Sequence, residues 1–330
     1  MKKPLISLAL ALSLLCGCGS SGAASTQQDN TLTVVATTYP VYLMASAVTE
    51  GVEGVEVERL NTGSVSCLHD YTLSVNDMKK IERADLIAIS GVGLDEFMED
   101  ALSRSSAAVV DCSEHAELLE NLSHHHKEEE DEEEGHGHDH DHDHDHGHYD
   151  PHYWMDPKNT LCMVENLSTA LSRADAANAQ QYQANALEAQ ALLTAWDSSL
   201  QDLVDSARSQ NIPLSGLVTF HDGFQYFAAA YDLPLLESIE EEAGSEASAK
   251  EIVEITGLVQ THSLPVIFTE VNGSDATARA ICRETGCTTA QLTMIMDGQG
   301  SQLSCYYDAQ LANIAAVING FAGREVVTLK

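Results

Sequence analysis

Two rhythms of apolar residues alternate along this chain. Continuous runs of strand length, "TLTVVATT" (31–38), "VEVERL" (55–60), "DLIAIS" (85–90) and "AAVVDCS" (107–113), are separated by stretches with helical spacing. Those helical stretches are "VYLMASAVTEG" (41–51), residues 74–84 and "LDEFMEDAL" (94–102). Strands that are apolar throughout, rather than at every second residue, are buried on both faces, which points to a parallel sheet covered by helices. The alternation returns in the last third: strand "LSGLVTF" (214–220), helix "DGFQYFAAAYD" (222–232), a helix over 248–262, strand "PVIFTE" (265–270), helix "SDATARAICRETG" (274–286) and a last helix from Ala309. The helix over 248–262 opens with the capping pattern Ser248-x-x-Glu251. Between the two halves, Tyr182, Ala186, Ala189, Leu193, Trp196, Leu200 and Leu203 recur at steps of four and three, the seam of one long helix packed along one side. The expected fold is α/β: two lobes, each a parallel sheet flanked by helices, joined by a long rigid spine helix. The lobes are expected over 31–157 and 210–330, with the helical region at 158–209.

The first thirty residues belong to neither rhythm. Lys2 and Lys3 precede the apolar stretch Leu5 to Leu15, which is too short to span a bilayer, so an export signal is expected here. "LCGC" (15–18) is similar to the lipobox of bacterial lipoproteins, in which a small residue precedes the lipidated cysteine; Cys18 after Gly17 fits, and Cys16 after Leu15 does not. Residues 1–18 then form a lipoprotein signal and 19–30, small and polar, a flexible tether. The body is expected outside the cytoplasm, held by a lipid on the outer face of the cytoplasmic membrane or in a periplasm.

Composition narrows the partner. A net charge of −35 would repel nucleic acid phosphates and favours a cation. Six cysteines follow the signal, Cys67, Cys112, Cys162, Cys282, Cys287 and Cys305, an even number that allows disulfides in an exported protein. Cys282 or Cys287 with Cys305 is the pairing expected. Their wide spacing makes no thiolate zinc motif.

Residues 124–148 carry ten of the fifteen histidines, interleaved with Glu and Asp, inside the first lobe. Imidazole and carboxylate are zinc-ligating side chains, and a run this polar buries nothing, so it reads as a solvated metal-gathering loop and not as a defined site. It would raise local zinc concentration or sense abundance, and its deletion is expected to leave a tight site intact. Three other histidines stand just beyond expected strands or at the end of the first lobe: His69 in "SCLHDY", His152 in "DPHYWMDP" and His221 in "VTFHDGF". Ligands gather beyond the carboxyl ends of strands in such folds. Each has an aspartate near it, Asp70, Asp150 and Asp222, able to orient a ligating ring through its other nitrogen. His115 and His262 read as surface residues, and Tyr153 and Trp154 as packing around the site.

The chain resembles the zinc-binding lipoproteins of bacterial ABC importers, the ZnuA/AdcA type within the metal-specific substrate-binding proteins. The resemblance runs from "VVATTYPVYLMAS" (34–46) to the end and is closest at "LHDYTLSVNDMKKIERADLIAISGVGLDEFM" (68–98), "DPHYWMDP" (150–157), "FHDGFQYFAAAYDL" (220–233) and "IFTEVNGS" (267–274). It implies that His69, His152 and His221 hold Zn2+, with other divalent metals held less well. Manganese-binding relatives usually carry Glu where this chain has His221, and imidazole suits zinc better. The fourth ligand departs from the pattern. Some zinc members place Glu before the first histidine, where this chain has Leu68; others use a carboxylate before the final helix, where Thr293 stands with Asp297 nearby. Three histidines plus water, Asp297 or Glu270 are expected.

The resemblance further implies a monomeric receptor that captures zinc between its lobes and hands it to an ABC permease and its ATPase. Two rivals share the ligands: an exported zinc buffer or adhesin, and a hydrolase with an open position on a three-histidine zinc. The second lacks HExxH, a GxSxG elbow and a general base beside the histidines, so the chain is read as no enzyme. Because ligating imidazoles must be deprotonated, affinity should fall as pH drops through the histidine range.

Overall fold

The structure is a computed structural model that describes residues 31–60, 68, 71–121, 147–238 and 248–329. Cys18, the tether, Cys67, His69, Asp70 and nearly all of the His-rich run lie outside the described residues. Two four-stranded sheets form the framework. The first contains β1 (Leu32–Ala36), β2 (Val55–Arg59), β3 (Leu86–Ile89) and β4 (Ala108–Asp111) in the order β2-β1-β3-β4. The second contains β5 (Leu217–Thr219), β6 (Leu235–Ser238), β7 (Val266–Glu270) and β8 (Thr288–Leu292) in the order β6-β5-β7-β8. Every pairing is parallel. In each sheet the chain steps one way from the first strand and then crosses to its other side. The crevice beyond β1 and β3, and that beyond β5 and β7, is therefore a topological switch point, where α/β folds place ligands.

Central strands are buried along most of their length, as their continuous apolar runs require: Val34, Val35 and Ala36 in β1, and Val266 and Ile267 in β7, have no exposed surface. Helices α1 (Tyr39–Val48), α2 (Val75–Arg83) and α3 (Glu99–Arg104) accompany the first sheet, and α6 (Gln225–Ala230), α7 (Ala249–His262), α8 (Ala276–Thr285) and α9 (Ser304–Ala322) the second. Their starts obey local chemistry. The Ser74 and Ser248 hydroxyls each accept the backbone N–H three residues on, and the Asp77 and Glu251 carboxylates return to the capping residue.

Two helices join the sheets. α4 (Pro157–Ala174) starts on Pro157 with Asp156 accepting the Lys158 N–H, so Asp156 caps this helix. α5 (Ala179–Ser209) is 31 residues long, about 46 Å at 1.5 Å per residue. It buries Tyr182, Ala186, Ala189, Leu193, Leu200, Val204 and Ala207. Near its start Asn185 donates to the Val48 and Glu50 carbonyls after α1, and near its end Arg208 donates to those of Tyr231 and Asp232 after α6. One continuous rod thus grips both halves, the spine that the four-three seam predicts.

Three features differ from the sequence reading. β6 and β8 were not anticipated: β6 is a half-buried "LLES", and β8 is "TTAQL", an edge strand whose Thr288, Thr289 and Gln291 face solvent. The last helix begins at Ser304, five residues before Ala309. The expected disulfide is also not formed. Cys282, Cys287 and Cys305 are free thiols, and β8 separates the second from the third. His115 and His262 are exposed, as expected.

Candidate metal centre

His221 follows β5 by two residues, and Glu270 is the last residue of β7. The pairing of Thr219 with Phe268 brings both to the same level at the carboxyl end of the sheet. Thr219 fixes the approach by donating its hydroxyl to the His221 carbonyl at 3.1 Å. The His221 side chain is 1 % exposed, and neither Nδ1 nor Nε2 has a hydrogen-bond partner. A neutral imidazole carries one donor and one acceptor, and leaving both buried and unmatched is costly unless something else binds there. A divalent cation suits such a ring.

His152 comes from the first half of the chain, at the turn before α4. Asp150 Oδ1 accepts both the His152 backbone N–H and its Nδ1 at 2.8 Å, with both side chains almost fully buried. This carboxylate fixes the tautomer and the ring plane, so a metal would meet Nε2. The His152 and His221 rings stand 5.5 Å apart between centroids, edge to face at 81°. That separation lets two imidazoles reach one ion. Trp154 meets His152 edge to face, and Gly223 lies so close that an added Cβ would sit 3.1 Å from His152 Nδ1 and 2.2 Å from Met294 Cε. The glycine keeps room for the imidazole.

Glu270 is 5 % exposed, and Asp297, half-buried, accepts from Asn272 Nδ2 at 3.2 Å. Thr293 caps its own loop by accepting the Ile295 N–H. Leu68, before His69, is buried at 1 %. Among the described residues no three His, Cys, Asp or Glu side chains are gathered as a metal site, and His69 is not among the described residues. The structure thus brings together His152, His221 and, through Asp150, the partner of the former.

What the sequence reading missed is the seam that closes over this place. The loop between β8 and α9 is held from the other lobe through three main-chain carbonyls: Trp154 Nε1 donates to Met294, Arg59 to Gly298 and the Tyr39 hydroxyl to Gly300, at 2.9, 3.2 and 3.0 Å. The Arg59 guanidinium also lies 4.9 Å from the Tyr39 ring centre, a cation–π contact. Burial, with a hydrogen bond to Cys305, pushes the Tyr39 hydroxyl up to about 12, so it stays a donor. Burial lowers the Arg59 value without threatening its charge. Tyr306 and Gln310 of α9 add bonds to the Trp154 and Met155 carbonyls.

Known proteins fall in line with this architecture. The chain is similar to the zinc-binding protein AdcA of Streptococcus pyogenes, 27% identical over 345 residues that cover all of this chain and 64% of that protein. It therefore spans less than two thirds of the length of those relatives. The high-affinity zinc uptake system protein ZnuA of Bacillus subtilis is 27% identical over 288 residues, 86% of this chain and 85% of that one. Among solved structures, the periplasmic zinc-binding protein TroA of Treponema pallidum superposes with a TM-score of 0.70 at 22% identity, covering 88% of this chain and 98% of that one. The laminin-binding protein Lmb of Streptococcus agalactiae, an adhesin with metal-transporting activity, gives 0.70 at 22% identity with 88% and 99% covered. The family model for the periplasmic zinc-uptake complex component A, ZnuA, matches residues 34–320, and the chain belongs to that family.

Proposed function

We propose that this protein is an extracytoplasmic zinc receptor that captures Zn2+ between its lobes and passes it to an ABC permease driven by a separate ATPase. His69, His152 and His221 are its zinc ligands, with water, Asp297 or Glu270 completing the shell. Other divalent metals are held less well. The observation that carries this reading is the buried His221 ring with both nitrogens unmatched, 5.5 Å from the His152 ring that Asp150 holds in orientation. Ligands drawn from the two halves would make zinc itself a bond across the cleft. The chain acts as a monomeric carrier and not as an enzyme, and Cys18 anchors it by lipid to the outer face of the membrane. No helix among the described residues is long and apolar enough to cross a bilayer.

The test is metal content and competitive zinc titration of the wild type beside His69→Ala, His152→Ala and His221→Ala. Each variant should lose more than about 100-fold in affinity, beyond what loss of an orienting partner alone would cost. Wild-type affinity in any of them removes that residue from the shell. Delivery is tested separately: deletion of the gene should block growth in zinc-depleted medium, with rescue by added zinc, and unimpaired growth would favour a zinc buffer.

A further inference from the structure

Two cysteines sit on either side of one helix stop. α8 ends in Gly286 at φ 83°, a left-handed conformation that glycine adopts without strain, and the Gly286 N–H donates to the Cys282 carbonyl at 2.8 Å. In this helix-ending motif the residue after the glycine packs against the residue four before it. Here those two residues are Cys287 and Cys282, so the turn sets the two side chains against one another. The turn is tied down elsewhere too: Cys287 N–H donates to Thr285 Oγ1 at 3.3 Å, and Thr288 N–H to the Pro265 carbonyl at 2.8 Å. No other described thiol has such a neighbour. Cys305 Sγ lies 3.9 Å from Gln302 Oε1, Cys162 Sγ donates to the His115 carbonyl and Cys112 is fully buried in the first lobe.

We propose that Cys282 and Cys287 form a disulfide that staples the end of α8 to the start of β8 in the exported protein, with a protein disulfide of that compartment as oxidant. The proposal rests on the extracytoplasmic placement above, because a reducing cytosol would keep both thiols reduced. Cys282, the more exposed of the two, attacks one sulfur of the incoming disulfide as thiolate and expels a first thiolate. Cys287, 9 % exposed, then attacks Cys282 Sγ in the mixed disulfide and expels the second. Two protein thiols are oxidised, one external disulfide is reduced, and the two protons end on the expelled sulfurs. Burial, reinforced by the Cys287 contact, raises the Cys282 thiol, so little thiolate exists near neutrality. Closure by a small disulfide should therefore be slow there and quicken as pH rises.

The full chain, purified reduced, is equilibrated while folded with reduced and oxidised glutathione at mildly alkaline pH, quenched with acid, alkylated and digested. Trypsin cuts after Arg279 and Arg283, so the bond would join two peptides that otherwise separate. The joined pair should appear in wild type and vanish in Cys282→Ser and Cys287→Ser. Reduction should lower the wild-type Tm by about 4 °C and leave both variants unmoved. Alkylation of both cysteines in the folded, equilibrated protein, or a bond from either to Cys305, overturns the proposal. Mapping the same peptides in protein taken from the envelope of producing cells tests the compartment separately. Closure in vitro with reduced cysteines in cells would overturn the extracytoplasmic placement and with it the oxidised state in vivo, whereas loss of the zinc site would leave the joined peptides unchanged.

Discussion

Replacing His221 by leucine should stabilise the metal-free protein and abolish its response to zinc. The ring is 1 % exposed, and its two nitrogens lack partners. Each unmatched buried polar atom costs about 1–3 kcal/mol. Leucine has a similar volume and no polar atom, so removing two such penalties, less some loss of fit, should gain about 2 kcal/mol. For a chain of this size that raises Tm by roughly 4 °C. The assay is thermal and urea unfolding with a chelator at pH 8, repeated with free zinc. Wild type with zinc at about 100 times Kd should gain about 2.7 kcal/mol, and the leucine variant nothing. A metal-free variant less stable than wild type by about 1 kcal/mol or more would show that the ring is well satisfied without metal and would refute the reasoning.

Asp150→Asn should weaken zinc binding by roughly 10–100-fold, read by competitive titration, because the carboxylate that fixes the His152 ring is lost while the ligand itself remains. Leu193→Ala, in the buried face of the spine, should cost about 2–5 kcal/mol in urea unfolding while leaving the metal ligands in place. Burial raises Asp95 from 3.8 to about 6 even though it accepts the Gly91 N–H, so the folded state keeps a proton that the unfolded chain releases near pH 4. Stability from this group is therefore greatest at low pH, falls as pH rises from about 4 to 6, and is lower by about 3 kcal/mol above that window. Asp95→Asn should flatten that part of the stability profile, as followed by denaturant midpoints from pH 4 to 7.5.

The pattern of apolar residues carried most of the fold because buried parallel strands and a one-sided helix leave strong periodic marks. β3 is apolar throughout, β1 is apolar but for Thr33 and β7 until Thr269 and Glu270, and the seam from Tyr182 to Leu200 is buried except at the half-buried Trp196. β8 left no such mark: as an edge strand it exposes Thr288, Thr289 and Gln291, and its identity comes from pairing with β7. β6 is four residues behind Pro234, too short to show a period. His152 and His221 could be singled out because each lies at an expected strand end or lobe boundary. Arg59, Met294 and the partner of Tyr39 could not, since Tyr39 and Arg59 reach their partners across 261 and 239 residues, a separation on which local spacing is silent. The cysteines show the same limit: an even count allows pairing but names no partners, and the proposed pair rests on the left-handed turn at Gly286.

The loop between β8 and α9 is docked to the opposite lobe through the carbonyls of Met294, Gly298 and Gly300. Peptide oxygens are common to every amino acid, so the docking survives substitution of most side chains that the loop displays. Gly298 and Gly300 are pinned, since an added Cβ would stand 2.3 Å from the Tyr39 ring at the first and 2.3 Å from Cys305 Sγ at the second. An exposed position such as Gln299 is thus an interchangeable part on a fixed mount. Such a surface can be altered by single replacements while the joint between the halves stays as it is.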